Sequence, residues 1–189
     1  MIKILLILSL LNLQENDIVF DAGSTKIFPL TNEVVTIPEK GPFDVAISLL
    51  SPLPQKALLK KITSHLKPQG RALIIVSPAE SMEQRALLAL KKTEKWKNKL
   101  HLVSPLYIDE IKNFLTQTGM KILYSEVHHE VKTFHSSQKL KQWVLKEVAP
   151  LYEIDLEDYP CFASDFVEKL PDKTYLIQKQ LVLYFMGQE

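Results

Sequence analysis

Apolar positions along this chain fall into two rhythms, short continuous runs and stripes at helical spacing, and the two alternate. Ile18-Val19-Phe20 is an apolar run that follows the polar turn Gln14-Glu15-Asn16-Asp17 and predicts a buried strand. The β-branched stretch Glu33 to Ile37 (EVVTI) predicts a second, short strand before Pro38, and Phe43 to Ser48 predicts a third after the Gly41-Pro42 turn. From Pro52 to Lys67 the apolar residues Leu58, Leu59, Ile62 and Leu66 share one helical face, and Pro68 and Gly70 stop the helix. Arg71 to Val76 (RALIIV) is apolar without alternation, as a strand covered on both faces requires. Ser81 to Lys95 predicts a second helix, with Met82, Leu87, Leu88 and Leu90 available for packing.

The alternation continues to the end of the chain. Ile108, Ile111, Phe114 and Leu115 mark a helix capped by Gly119, and Met120 to Val127 predicts the next strand. Leu140, Trp143, Val144 and Val148 predict a helix from Ser137 that Pro150 ends. A short helix over Ser164 to Leu170 stops at Pro171, and Tyr175 to Phe185 is a long closing strand. Strands alternating with helices predict an α/β domain with a largely parallel sheet. The closing strand has no long crossover helix directly before it, so an antiparallel pairing is expected there. The whole of 1–189 reads as one domain.

Composition narrows the chemistry. Lys and Arg number 23 and Asp and Glu 22, a formal net charge of +1, which argues against a nucleic-acid partner. The densest basic stretch, Lys91 to Lys99, mixes in Glu94 and Trp96 and reads as a solvated helix end. The apolar run Ile4 to Leu13 is too short to span a bilayer and no small-x-small cleavage site follows it. A helix ending at Leu13 and a cytoplasmic location, with no membrane partner, are therefore expected. Cys161 is the one cysteine, so an internal disulfide and a cysteine zinc cluster are excluded. Average usage would place about 13 glycines here, and the chain has five. The closest two, Gly23 and Gly41, stand 18 positions apart. Phosphate-cradling loops need glycines two to five apart, so Walker A and G-x-G-x-x-G loops are excluded.

The middle of the chain carries a family resemblance. Phe43-Asp44-Val45-Ala46-Ile47-Ser48, a helix ending Leu66-Lys67-Pro68-Gln69-Gly70, and Arg71-Ala72-Leu73-Ile74-Ile75 resemble class I S-adenosylmethionine-dependent methyltransferases. These segments follow the order of that family's fourth strand, helix, L-K-P-G-G turn and fifth strand. Downstream, Glu94 to Lys97, His101 to Pro105, the Ile108-to-Gly119 helix and Thr133 to Ser136 resemble one branch, which contains the trans-aconitate and juvenile hormone acid methyltransferases. Upstream, Leu10 to Gly23 resembles the family's lead-in to its first strand and cofactor loop, and Asp21 and Gly23 match that motif. The family's later loop glycines are replaced here by Ser24-Thr25-Lys26-Ile27. Asp21 and Asp44 are 23 positions apart, and one βαβ unit alone takes about 30 residues.

The resemblance implies a Rossmann-like sheet, mostly parallel with an antiparallel C-terminal strand, lacking the second and third strand units. It divides the domain into a shortened cofactor half, 14–77, and a C-terminal half with extra helices, 78–189. It implies S-adenosylmethionine as cofactor, framed by Asp21, Gly23, Ser48 and Leu49, and a small-molecule substrate, a carboxylate in that branch. Glu33 and Glu39 are the acids nearest the family's ribose-binding position, although neither matches its motif. Ser51-Pro52-Leu53 stands where the branch carries a His-Trp pair. No catalytic acid or base is expected, because methyl transfer rests on positioning. The lost glycines also admit the alternative of an inactive pseudo-methyltransferase serving as a binding module. Its exposed sheet edge would be covered by a homo- or hetero-oligomeric contact. His128-His129-Glu130 with His135 raises a metal reading, but adjacent strand residues point to opposite faces, so a polar strand end is expected and no metal. Trp143 is expected in the core, and Cys161 as a structural thiol.

Overall fold

A computed structural model describes residues 11–14, 16–22, 34–35, 42–51 and 54–188, with backbone alone at 34–35. Its elements are β1 (Val19–Asp21), β2 (Val34–Val35), β3 (Phe43–Leu49), α1 (Gln55–His65), β4 (Leu66–Val76) and α2 (Met82–Lys91). They continue with α3 (Ile108–Gln117), β5 (Met120–Thr133), α4 (Ser137–Trp143), α5 (Tyr159–Glu168) and β6 (Tyr175–Gly187). Between α4 and α5 the chain tightens and loosens in turn, with a π-helical turn at Val144–Val148 and 3-10 turns at Ala149–Tyr152 and Leu156–Asp158.

The strands form a six-stranded mixed sheet in the order β2-β1-β3-β4-β6-β5. β1 pairs parallel with β2 and β3, β3 pairs parallel with β4, and β6 is antiparallel to both β4 and β5. One correction concerns the expectation that both the second and third strand units are missing. The EVVTI segment supplies a two-residue strand, Val34–Val35, on the outer side of β1. Two residues suffice because the pairing needs only Val19 and Phe20 as partners.

The RALIIV run behaves as its pattern requires. Ala72, Ile74 and Val76 face one apolar cluster, shared with Leu58, Leu59 and Ile62 of α1 and with Ile111 and Leu115 of α3. Leu73 and Ile75 face the opposite cluster, with Leu11, Val19, Val45 and Ile47. A third and larger cluster lies beyond the sheet, where α2, α4 and α5 enclose Trp96, Leu140, Val144, Phe162 and Phe166. Trp96 meets Phe162 edge-on at 5.4 Å between ring centres.

Several boundaries move for local reasons. α1 ends at His65, and Leu66-Lys67-Pro68-Gln69-Gly70 already runs within β4, bulged against β3 between Phe43 and Val45. Gly70 is required there, because a Cβ would stand 2.9 Å from the Lys67 carbonyl oxygen. α2 stops at Lys91 rather than Lys95, followed by the turn that buries Trp96. α5 starts at Tyr159, five residues before the expected Ser164, with Pro160 in its first turn, where its missing N–H costs nothing. β5 runs on to Thr133, paired with β6 apart from a bulge between Ile122 and Tyr124. Gly119 has φ +75°, as a helix C-cap needs. Of the apolar N-terminal run, only Leu11, Asn12 and Leu13 lie within the described residues. Leu11 is helical and buried, and Asn12 turns left-handed with φ +43°.

Candidate functional site

The sheet order reverses at β1, with β2 on one side and β3 on the other. Open α/β sheets bind ligands at the carboxyl ends of their strands at such a switch point. Here those ends carry Asp21 and Leu49, both half-buried, and the Ala22 N–H donates to the Ile47 carbonyl at 2.9 Å. Asp21 is paired with Ile47 in register, so Asp21, Ile47 and Leu49 lie on one sheet face. Ser48 alternates to the other face, fully buried, and its hydroxyl has no hydrogen-bond partner among the described residues. Gly23, Glu33 and Glu39 lie outside the described residues, Glu33 and Glu39 among them as candidate ribose acids.

Immediately after β3 the chain makes a sharp departure. Leu50 has φ +53°, a conformation that branched and bulky residues avoid, and its N–H donates to the Ile75 carbonyl at 2.8 Å. This turn carries Leu50 and Ser51 away from the switch point and into the wall of a cavity of about 170 Å³. The cavity sits over the carboxyl ends of β3 and β4, with Val76 and Ser77 beneath it. Glu83 and Gln84 of α2 form one side, Glu130 and Lys132 of β5 with Gln178 and Gln180 of β6 another. Trp143, Val148, Leu151 and Tyr152 from the helical segment after β5 close it over.

Hydrogen bonds fix this wall. Gln55, at the start of α1, donates its amide to the Ser77 carbonyl at 2.6 Å and accepts from the Leu106 N–H at 2.8 Å. It thereby joins the end of β4 to the 102–106 segment. Gln84 donates to the Tyr152 hydroxyl at 2.8 Å, and Gln178 donates to the Glu83 carboxylate. Burial pushes the Glu83 carboxyl above its ordinary range, against the Gln178 hydrogen bond and the Lys132 charge, which act downward. Burial also raises the Tyr152 hydroxyl, helped by the nearby Glu83 and opposed by the Gln84 hydrogen bond. The Lys132 ammonium stands 5.1 Å from the centre of the Trp143 ring.

The other sequence candidates resolve as follows. His128 Nε2 lies 3.2 Å from the Glu126 carboxylate, and no group of three potential metal ligands occurs among the described residues. Glu130 lines the cavity instead. Trp143, expected in the core, is only partly buried and forms cavity wall as well as packing on Phe134. Cys161 is a free, exposed thiol. Three lysines of the basic stretch are paired, Lys95 with Asp165, Lys97 with Glu94 and Lys99 with Asp158, which neutralises that face. No helix among the described residues is long and apolar enough to cross a membrane.

Glu83, Lys132, Tyr152 and Gln178 did not emerge from the sequence. One signal was present: Gln178 and Gln180 interrupt the apolar closing strand at a period of two, which puts both amides on one face. Sequence alone could not show that α2 and β5 bring charge to that same face.

No family model matches the chain, and neither does any curated protein. The fold itself is that of class I S-adenosylmethionine-dependent methyltransferases. A solved structure of a methyltransferase of Bacillus halodurans superposes with a TM-score of 0.65 at 10% identity, over 100% of both chains. The YcgJ protein of Bacillus subtilis superposes at 0.59 with 10% identity, over 97% of each chain. A sarcosine dimethylglycine methyltransferase of Galdieria sulphuraria superposes at 0.55 with 13% identity, over 97% of this chain and 82% of its own.

Proposed function

We propose that this protein is a cytoplasmic S-adenosylmethionine-dependent methyltransferase acting on a small molecule that carries a carboxylate. The observation that carries the reading is the adjacency of two features. The switch point at Asp21 and Leu49 leads, through the left-handed turn at Leu50, directly into a cavity lined by Leu50 and Ser51. A donor seated at the first and an acceptor seated in the second would meet across that turn.

The residues at the switch point fit the methyl donor in kind. Asp21 offers a carboxylate for an ammonium group. Leu49 presents an apolar surface on the same face. The Ser48 hydroxyl faces the other side of the sheet, buried and without a partner among the described residues, so its part is in the scaffold beneath the site. When bound, the donor supplies an electrophilic methyl group on a sulfonium. The chain's part is to hold the acceptor in line with it and to exclude water, which is where most of the acceleration of such a transfer arises.

Titration calorimetry with S-adenosylhomocysteine and the full chain tests this. Binding is expected below millimolar concentration, and Asp21→Asn should weaken it about tenfold, the scale of one charge-assisted hydrogen bond. Absence of heat at millimolar ligand would overturn the proposal in favour of a pseudo-methyltransferase.

A further inference from the structure

The cavity holds charge of both signs, but not in equivalent places. Glu130 and Glu147 are exposed, and Glu147 lies 3.7 Å from its neighbour Lys146. Glu83 is buried and already accepts from the Gln178 amide. Lys132 is the only cationic residue of the described lining. Lys132 is half-buried, its ammonium lies over the Trp143 ring, and among the described residues no carboxylate lies within 4.0 Å of it. Its charge reaches Glu83 only from beyond ion-pair distance, and an aromatic face recovers only a fraction of what a carboxylate in direct contact returns.

We propose that Lys132 is the substrate anchor, holding a carboxylate at the end of the substrate remote from the methyl donor. The sheet order sets that distance. β5 lies three strand positions from β3, or about 14 Å at ordinary strand spacing, so Lys132 and Leu50 stand at opposite ends of the cavity. A substrate pinned at Lys132 presents its far end to the turn at Leu50. The Gln178 and Gln180 amides on β6 lie between the two ends and supply donors and acceptors along the way. The apolar wall of Leu102, Val148 and Leu151 takes the hydrocarbon body. Lys132 is thus a specificity-determining residue, and its contribution falls on binding rather than on the transfer step. This assignment rests on the methyltransferase reading for its orientation, but the anchoring itself does not need the cofactor.

The test uses three probes of one skeleton, 3-phenylpropionate, 3-phenylpropylamine and 3-phenylpropanol, titrated into the cofactor-free full chain by NMR. The carboxylate should bind at least about tenfold more tightly than the alcohol, and the amine more weakly still. Lys132→Met should abolish that preference and Lys132→Arg should restore it, while both keep the S-adenosylhomocysteine affinity of the parent chain. Tighter binding of the amine, or a carboxylate affinity unmoved by Lys132→Met, would overturn the anchor and leave the methyltransferase reading standing. Lys132-dependent carboxylate binding with no S-adenosylhomocysteine binding would uphold the anchor and overturn the methyltransferase reading instead.

Discussion

The two ends of the sheet are built to different standards. At the β1 end, the strand has three residues, and the chain entering it is tied down by the side chains of Arg71 and Asp44. Arg71 donates to the Leu11 and Asn12 carbonyls at 2.5 and 2.7 Å and pairs with Asp17 at 2.5 Å. At the opposite end, β5 and β6 have 14 and 13 residues and pair along their length apart from a bulge at Leu123. Beside them the aromatic cluster of Trp96, Phe162 and Phe166 is buried to within 1% of its surface. The β1 end is held by polar ties to strand ends, the β5–β6 end by apolar mass. Stability is therefore expected to concentrate at the β5–β6 end, leaving the β1 end the softer of the two.

The largest effect should come from Trp96→Ala. It removes a side chain that is 1% exposed, packed on Phe162 and hydrogen-bonded through its indole N–H to Asp165. The loss should be about 3–5 kcal/mol, read as a fall in the urea midpoint. Arg71→Ala should cost less, about 2 kcal/mol by the same measurement, because it removes polar ties without emptying an aromatic-sized space in the core. An Arg71 loss equal to or above the Trp96 loss would break the contrast. It would place the fold's stability at the β1 end.

Two carboxyls sharpen the same comparison through pH, with smaller effects of opposite sign. Asp44, at the start of β3, feels desolvation that would raise it. The Lys67 hydrogen bonds at 2.8 and 2.9 Å and the Ile18 N–H at 3.0 Å outweigh that and hold it below 3.8. Its stabilisation is present above pH 3.8 and is lost as pH falls through the lower folded-state value. Glu83 is the reverse case, raised above 4.5 by burial. The folded chain holds its proton longer than the unfolded one, so stability is full below pH 4.5 and declines as pH rises through the folded-state value. In urea titrations across pH, Asp44→Asn should flatten the acid limb and Glu83→Gln the alkaline limb. A Glu83→Gln profile that keeps the alkaline decline would remove Glu83 as its source.

Much of the scaffold was legible in the chain. The RALIIV run could only be a strand buried on both faces, since any exposed face would have shown polar alternation. Gly119 stood where a left-handed cap was needed. Asp21 could be placed at a strand's carboxyl end because an apolar run stopped there. The spacing of Asp21 and Asp44 raised the expectation of a shortened cofactor half, and within that interval Val34–Val35 forms β2 beside β1.

The cavity was not legible, for a physical reason. Glu83, Lys132, Trp143, Tyr152 and Gln178 come from α2, β5, the end of α4, the turns after it and β6, and each looks ordinary within its own element. Local pattern reports which face of an element is buried, and from that the sequence by itself determined an α/β sheet with its strands and most of its helices. Only the tertiary structure decided which polar residues would meet on the buried side. Packing of α2 and the 143–152 segment over β5 and β6 desolvates Glu83 and sets Lys132 on Trp143, and desolvation is a property of the assembled neighbours rather than of any one stretch of chain.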